Sequence, residues 1–186
     1  MELNSAGFQL ITDRLIIRPM TMADEADLFE YQSLPEVVKY IPWPARTLEQ
    51  VHEALAKSIA ESKFDNEGDY GLLGIELASS RKIVGQLALM YRSSENQTAE
   101  FGYVLNPKYS GHGYATEACK AAVTYIFETG KFNRIFAHLD ARNAASENLV
   151  KRLGMRKEAH IEEEEFFKGE WCDAFIYGIL KREWLP

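Results

Sequence analysis

The chain has 186 residues, 46% of them hydrophobic, and carries a formal net charge of −7. This length fits a single domain over residues 1–186, with its core at about 10–184. An acidic chain without a basic stripe argues against nucleic acid as the main ligand, and no apolar run approaches the roughly 20 residues of a membrane span. Because the N-terminus lacks signal-peptide features and the two cysteines have no disulfide or metal-ligand spacing, we expect a cytoplasmic protein without a metal.

The first third of the chain gives one strand signal and two helix signals. An apolar stretch is ended by Pro19, which cannot continue a strand ladder. Thr21 is a good N-cap for the first helix. Thr47, followed three residues later by Gln50, forms a capping box at the start of the second. The predicted elements are a strand over Leu10–Arg18 and helices over Met22–Gln32 and about Thr47–Lys63.

The remainder predicts three strands, then alternating helices and strands, joined by short polar or glycine-containing turns. Gly130 and Gly154 follow the two helical stretches, where helices commonly end. The predicted strands are Tyr70–Ala78, Ile83–Tyr91, Ala99–Leu105, Ile135–Leu139, Lys157–Glu165 and Trp171–Leu180; the helices are Ala115–Thr129 and Ala144–Leu153. This order predicts an α/β fold with a mixed, mostly antiparallel central sheet flanked by helices. One β-α-β crossover, from Ala99 to Leu139, lies in its middle.

The turn inside this crossover carries the strongest functional signal. Gly111 and Gly113 let the backbone approach a ligand closely, and the free N–H groups of the following helix favour a negative charge. The third glycine of a dinucleotide-binding fingerprint is missing, and so is the Gly-Lys-Ser/Thr sequence of a loop that binds nucleoside triphosphates. We therefore interpret the turn as a phosphate cradle of another kind. An ordinary glycine-assisted helix start is the alternative.

The charge distribution is uneven along the chain. Between Leu105 and Lys157, nine basic residues stand against four acidic ones, a net charge of +5 that leaves −12 for the rest. The first region would favour a polyanion and the remainder a cation. Ordinary surface charge is the alternative interpretation.

Several ordered motifs resemble the GNAT (GCN5-related N-acetyltransferase) superfamily. The stretch Gly111–Ala118 resembles its acyl-CoA pyrophosphate loop. Four further segments are similar to the branch of RimJ/RimL-like ribosomal-protein N-terminal acetyltransferases: Leu10–Pro19, Ala99–Leu105, His138–Asn148 and Trp171–Asp173. The resemblance covers about residues 10–184. It implies the GNAT fold and acetyl-CoA as the acetyl donor.

The resemblance also implies which residues bind acetyl-CoA. The pyrophosphate would be held by Gly111, His112, Gly113, Tyr114, Ala115 and Thr116. The pantetheine arm would lie along Tyr103, Val104 and Leu105 between strands that splay apart, and would also contact Asn143 and Asn148. Plain strand pairing and, for Asn143, a structural helix cap are the alternatives. Lys151 and Arg152 would contact the adenosine phosphates or lie on a solvated helix face.

Two residues are candidates for catalysis. Glu100, a lone carboxylate in an apolar strand, is the candidate general base that takes a proton from the acceptor amine. A solvent-facing strand residue is the alternative. Ser146 would lie near the thiol and give the departing thiolate a proton. Cys119 falls on the core stripe of its helix, which predicts direct attack in a ternary complex without an acyl-enzyme.

The predicted function is transfer of an acetyl group from acetyl-CoA to a primary amine, with a protein N-terminal α-amine as the first candidate. Two alternatives remain: acetylation of a small amine such as a polyamine or a drug, and a non-catalytic acyl-CoA sensor. The resemblance is compatible with a homodimer. No role is assigned to His52, His138 or His160. The aromatic residues that would line an acceptor cleft, or else belong to the core, are Tyr40, Trp43, Phe166, Phe167 and Trp171.

Overall fold

Eight strands and four α-helices follow one another in the computed structural model, which describes residue 3 and residues 7–184. The strands are β1 (Leu10–Ile11), β2 (Leu15–Pro19), β3 (Tyr70–Leu77), β4 (Ile83–Ser93), β5 (Thr98–Leu105), β6 (Arg134–Asp140), β7 (Arg156–Phe167) and β8 (Glu170–Leu180). The helices are α1 (Glu25–Gln32), α2 (Leu48–Glu61), α3 (Tyr114–Glu128) and α4 (Ala144–Arg152). No described helix has the length and apolarity needed to cross a membrane.

The strands form one sheet in the order β1-β2-β3-β4-β5-β6-β8-β7. Every neighbouring pair is antiparallel except β5 and β6, which run parallel because α3 carries the chain across between them. This confirms the predicted fold class and the position of its crossover. The phosphate-cradle turn lies at the end of β5, where the crossover begins.

One face of the sheet packs against α3. The helix presents an apolar stripe whose members are all fully buried: Ala118, Cys119, Ala122, Val123 and Ile126. Small residues at these positions let the helix approach the strands closely, and the predicted stripe is confirmed. Burial raises the pKa of the Cys119 thiol, so this cysteine is a packing residue rather than a nucleophile.

The opposite face is covered in part by α1 and α2. Val51 and Leu55 of α2 are buried, and Thr47 and Gln50 exchange the two hydrogen bonds of the predicted capping box. The predicted first helix begins with one turn of 3-10 helix at Met22–Asp24 before α1. These two helices leave the part of this face beside β5 and β6 uncovered.

The predicted single strand Leu10–Arg18 is wrong. Residues 12–14 form a turn, and β1 folds back antiparallel onto β2. Thr12 causes the break, because its Oγ1 accepts the N–H of Leu15 at 3.0 Å while its own N–H donates to the Leu15 carbonyl. The turn projects the side chain of Arg14 toward the start of α3.

Candidate active site

β5 and β6 separate after three paired residues. Their register runs from Thr98 with Arg134 to Glu100 with Phe136, and beyond that level the strands diverge. The gap opens into a cavity of about 490 Å³. Five of the predicted site residues line it together: Glu100, Tyr103, Val104, Asn143 and Ser146. The predicted splaying of the two strands is therefore present.

The gap suits the pantetheine arm of acetyl-CoA. Past Glu100, the edge of β5 that faces β6 has no strand partner within residues 7–184. Unpaired N–H and C=O groups of a strand edge bind an extended, amide-containing chain as they would bind another strand. Leu105 is at the last position of β5 and does not line the cavity. The two residues that would flank the arm on β5 are thus Tyr103 and Val104.

The turn that follows β5 has the backbone expected of an anion cradle. Gly111 and Gly113 have φ angles of +81° and +82°, and Gly113 is the N-cap of α3. No atom lies within 4 Å of the position that a Cβ on Gly111 would occupy. The first four N–H groups of a helix have no partner inside it, so those of residues 114–116 are available to a phosphate. The cradle and the strand gap together fit acetyl-CoA.

Contacts from the β1–β2 turn hold this cradle in place; we call Thr12, Arg14 and Glu117 the brace. Arg14 donates to the carbonyl of His112 at 2.9 Å and pairs with Glu117 in the first turn of α3 at 2.6 Å. Thr12 Oγ1 donates to Glu117 at 2.6 Å. Although burial alone would raise it, these hydrogen bonds lower the pKa of Glu117, which stays ionised and anchors Arg14. Sequence reasoning missed the brace because its members lie about a hundred residues apart.

The remaining predicted cofactor residues lie around the cradle. Arg152 Nε donates to Thr116 Oγ1 at 3.4 Å, which puts a guanidinium beside the N-terminus of α3. Lys151 instead pairs with Glu147 at 2.9 Å on the surface of α4. Asn148 is exposed on α4 and does not line the cavity. Arg152 is therefore better placed than Lys151 to meet a phosphate.

Glu100 faces the cavity at the level where the strands separate. The residue is only 8% exposed, and its Oε2 accepts a hydrogen bond from Arg92 Nε at 2.7 Å. The alternating pattern of β5 explains this position, because Ala99 and Phe101 on either side point into the α3 core. Glu100 is thus a cavity residue rather than the solvent-facing alternative.

Ser146 lies across the gap from β5, on the first turn of α4. Its backbone N–H donates to Asn143 Oδ1 at 3.1 Å, so Asn143 is the structural N-cap of this helix. The hydroxyl of Ser146 donates to Tyr103 Oη at 3.4 Å. Burial raises the pKa of Tyr103, which keeps its phenol protonated. Both hydroxyls are available to a sulfur placed in the gap.

The acceptor side of the cavity is acidic and aromatic. Its lining includes the carboxylates of Glu100, Asp140, Glu164, Glu165 and Asp173, and no lysine or arginine of the described residues. Of the predicted aromatic residues, Tyr40, Trp43 and Phe167 line it. Phe166 and Trp171 do not: they are 60% and 59% exposed and contact each other near the β7–β8 turn. Three of the five predicted aromatic residues therefore line the cavity, and two do not.

Comparison with known proteins identifies the family. Residues 14–156 match the family described as acetyltransferase (GNAT) domain. The chain belongs to the GNAT acetyltransferases. It is 33% identical over 181 residues to the uncharacterized N-acetyltransferase YnaD of Bacillus subtilis (strain 168), a match that covers 94% of this chain and 98% of that protein.

Two other relatives carry named activities. The ribosomal protein uS5-alanine N-acetyltransferase of Escherichia coli (strain K12) is 27% identical over 189 residues, which cover 98% of this chain and 96% of that protein. The spermidine N(1)-acetyltransferase of Vibrio cholerae is 25% identical over 107 residues, which cover 58% of this chain and 62% of that protein. The first relative supports the RimJ/RimL-like branch.

Solved structures share the fold. A GNAT-family acetyltransferase from Bacillus anthracis superposes with a TM-score of 0.84 at 30% identity, covering 95% of this chain and all of that one. RimL, a ribosomal L7/L12 alpha-N-protein acetyltransferase in complex with coenzyme A, superposes with a TM-score of 0.79 at 17% identity, covering 93% and 98%. By its family match and its relatives, this chain is an acetyl-CoA-dependent N-acetyltransferase.

Gly113→Ala is expected to raise the KM for acetyl-CoA about tenfold, since a non-glycine residue in left-handed backbone costs roughly 1–3 kcal/mol and the loop would leave its cradle conformation. Steady-state kinetics with varied acetyl-CoA measure this. Gly130→Ala is the matched control, because Gly130 has a φ of +76° at the opposite end of α3. It should lower stability without changing KM. An unchanged KM in the Gly113 variant would show that the cradle does not contribute to binding acetyl-CoA.

Proposed function

We propose that this enzyme acetylates a cationic primary amine, and that the N-terminal α-amine of a protein is its acceptor. The observation that carries the proposal is the lining of the cleft: five carboxylates and, among the described residues, no lysine or arginine. An amine enters such a cleft as an ammonium ion, which carboxylates attract and tyrosine and tryptophan faces also favour. The strand gap delivers the acetyl donor to the same cavity.

The choice of a protein N-terminus as the acceptor rests on how much of this chain each relative aligns with. The uS5-alanine N-acetyltransferase aligns with 98% of this chain, including the strands that carry the cleft carboxylates. The spermidine N(1)-acetyltransferase aligns with 58% of it. Full-length similarity therefore favours a protein acceptor. The alanine specificity in that relative's name is not carried over.

In the proposed mechanism, acetyl-CoA supplies an activated thioester, and the chain supplies proton transfer and alignment. Glu100 takes a proton from the acceptor nitrogen, directly or through one water, so that the amine lone pair is free to attack. Ser146 gives a proton to the departing sulfur and regains one from solvent, and its hydrogen bond to Tyr103 Oη orients its hydroxyl before the transfer. Cys119 is buried away from the cavity, and burial raises the pKa of Cys172, the thiol that lines it, so in this mechanism the acetyl group passes directly to the amine in a ternary complex.

A polyamine is the second candidate acceptor. The same carboxylates that suit an ammonium ion would suit a second positive charge further along the acceptor, as a polyamine carries. Spermidine acetyltransferases are among the relatives.

The experiment is thiol release from acetyl-CoA with a panel of acceptors. The panel contains peptides that begin with Ser, Ala, Thr or Met, the same peptides with blocked N-termini, polyamines, aminoglycosides and free amino acids. Release that requires a free peptide N-terminus supports the proposal. Release with a polyamine or another small amine alone would replace it by the second candidate. Equal release with blocked peptides would point to lysine side chains and contradict the α-amine assignment.

A further inference from the structure

His138 and Glu164 form a hydrogen-bonded pair on the acceptor side of the cleft. His138 Nε2 on β6 lies 2.6 Å from Glu164 Oε2 on β7, and both residues line the same cavity as Glu100. Their side chains are 40% and 32% exposed. The pair therefore contacts the cavity and bulk solvent at once, whereas the Glu100 side chain is 11% exposed.

The sheet register places this pair next to the reaction site. Glu100 is level with Phe136 on β6, and His138 is two residues further toward the open end of the gap. Since side chains alternate along a strand, Phe136 and His138 lie on one face, about 7 Å apart along β6. Ala137 and Leu139 point into the core on the other face. His138 thus lies one pleat beyond Glu100, on the strand across the gap.

The chemistry of acetylation leaves one proton unassigned. Transfer forms an N–C bond and breaks a C–S bond. The nitrogen of an ammonium ion loses two protons in becoming an amide, the sulfur gains one, and one is released to solvent. Glu100 accounts for one of the two protons under the proposed function. A second side chain with a route to solvent could accept the other.

We propose that His138, oriented by Glu164, accepts this second proton from the acceptor nitrogen and passes it to solvent. In the neutral ring that donates its Nε2–H to Glu164, Nδ1 carries the lone pair, and within the described part of the chain Nδ1 makes no hydrogen bond. Protonation at Nδ1 gives an imidazolium that the Glu164 carboxylate stabilises, as in other histidine–carboxylate pairs that act as bases. The assignment rests on the proposed function, because it requires a cationic acceptor.

The surroundings of His138 favour this role. An imidazole is the side chain whose ordinary titration lies nearest neutral pH, which suits a group that must both take and release a proton. The ionisable groups lining the same cavity are Glu100 on β5, Asp140 on β6, Glu165 on β7, Asp173 and Cys172 on β8, and the phenols of Tyr40, Tyr70 and Tyr103. Arg92 and Arg142 pair with Glu100 and Asp140. Three further cations contact rings that line the cavity: Arg46 over Trp43, Lys39 over Tyr40 and Lys168 over Phe167. The charged group bonded to His138 itself is the carboxylate of Glu164.

The test is the pH dependence of kcat and kcat/KM for His138→Gln. Gln places an amide N–H where Nε2 was and keeps the bond to Glu164, but it has no basic nitrogen. We expect kcat to fall 10- to 100-fold at pH 7 and the acid limb of the wild-type pH profile to disappear. Glu164→Gln should lower kcat less and move that limb to lower pH, because the imidazolium loses its counter-ion.

His52→Asn is the matched control. His52 makes a comparable bond to Glu25, 2.6 Å long, on α2 outside the cavity, so its variant should keep the wild-type rate and profile. Acetyl-CoA affinity and thermal unfolding of each variant report whether it is folded. A folded His138→Gln enzyme with the wild-type rate and limb would overturn the assignment alone. A wild-type enzyme inactive with every cationic amine would instead overturn the proposed function, and the assignment with it.

Discussion

Glu100→Gln is expected to lower kcat by about 10²- to 10³-fold while leaving the affinity for acetyl-CoA unchanged. A positioned general base typically contributes 10²- to 10⁴-fold, and Gln has the shape of Glu but cannot take a proton. The cradle and the strand gap do not depend on this carboxylate, so the acetyl donor should still bind. Steady-state thiol release gives kcat, and calorimetric titration with coenzyme A gives the affinity.

Two features make this experiment specific. The Gln side-chain oxygen can still accept the hydrogen bond from Arg92, so the variant should stay folded. Glu158→Gln is the control, because Glu158 also pairs with arginines, Arg134 and Arg156, but does not line the cavity. It should keep the wild-type kcat. Wild-type activity in Glu100→Gln would eliminate this carboxylate as the base and leave His138 and the other carboxylates of the described cleft as candidates.

The fold was largely predictable from the sequence because its signals are local. The capping box at Thr47, the buried stripe of α3 and the glycines that end the helices each depend on residues within a few positions of one another. The first strand was mispredicted for the same reason. Its apolar residues resume at Leu15 after the polar residues 12–14, and the bonds between Thr12 and Leu15 turn the chain there.

The candidate site was predictable where a motif marked it and unpredictable where only tertiary contacts did. Gly113 and Glu100 belong to motifs and lie where they were expected. Glu164 is one member of a run of four glutamates, and the sequence alone does not show which of them turns inward. In the fold, Glu164 and Glu165 line the cavity, and a register irregularity between Ile161 and Glu165 on β7 lies at this place. His138 was given no role because its partner is 26 residues away on another strand.

Arg18→Met is expected to have the largest effect on stability. The Arg18 guanidinium binds both oxygens of Asp24, at 2.8 and 2.9 Å, and its Nε binds Glu76, whose side chain is 1% exposed. Arg81 Nε lies 2.8 Å from the other Glu76 oxygen, in an ion-pair contact without hydrogen-bond alignment. Removing Arg18 leaves two buried carboxylates without their main partner, which typically costs about 3–5 kcal/mol of unfolding free energy. Urea unfolding followed by circular dichroism measures the loss.

The pH dependence separates this explanation from simple loss of packing. Although burial raises it, the hydrogen bonds from Arg18 and Thr21 lower the pKa of Asp24 below its ordinary value. A group with a lowered folded pKa contributes stability above its unfolded pKa, about 3.9, and loses that contribution as pH falls. The difference between wild type and Arg18→Met should therefore narrow between about pH 5 and pH 3. A difference that stays constant with pH would assign the effect to the lost methylene packing of Arg18.

Arg156→Met is the comparison variant, because it removes an arginine that holds two carboxylates at an exposed position. Arg156 also holds two carboxylates, those of Glu158 and Glu183, but its side chain is 48% exposed, against 16% for Arg18. Exposed ion pairs contribute about 0–1 kcal/mol, because water solvates the separated charges nearly as well. We expect Arg156→Met to change the unfolding free energy by no more than that. Equal losses in the two variants would show that burial does not set the strength of the Arg18 network.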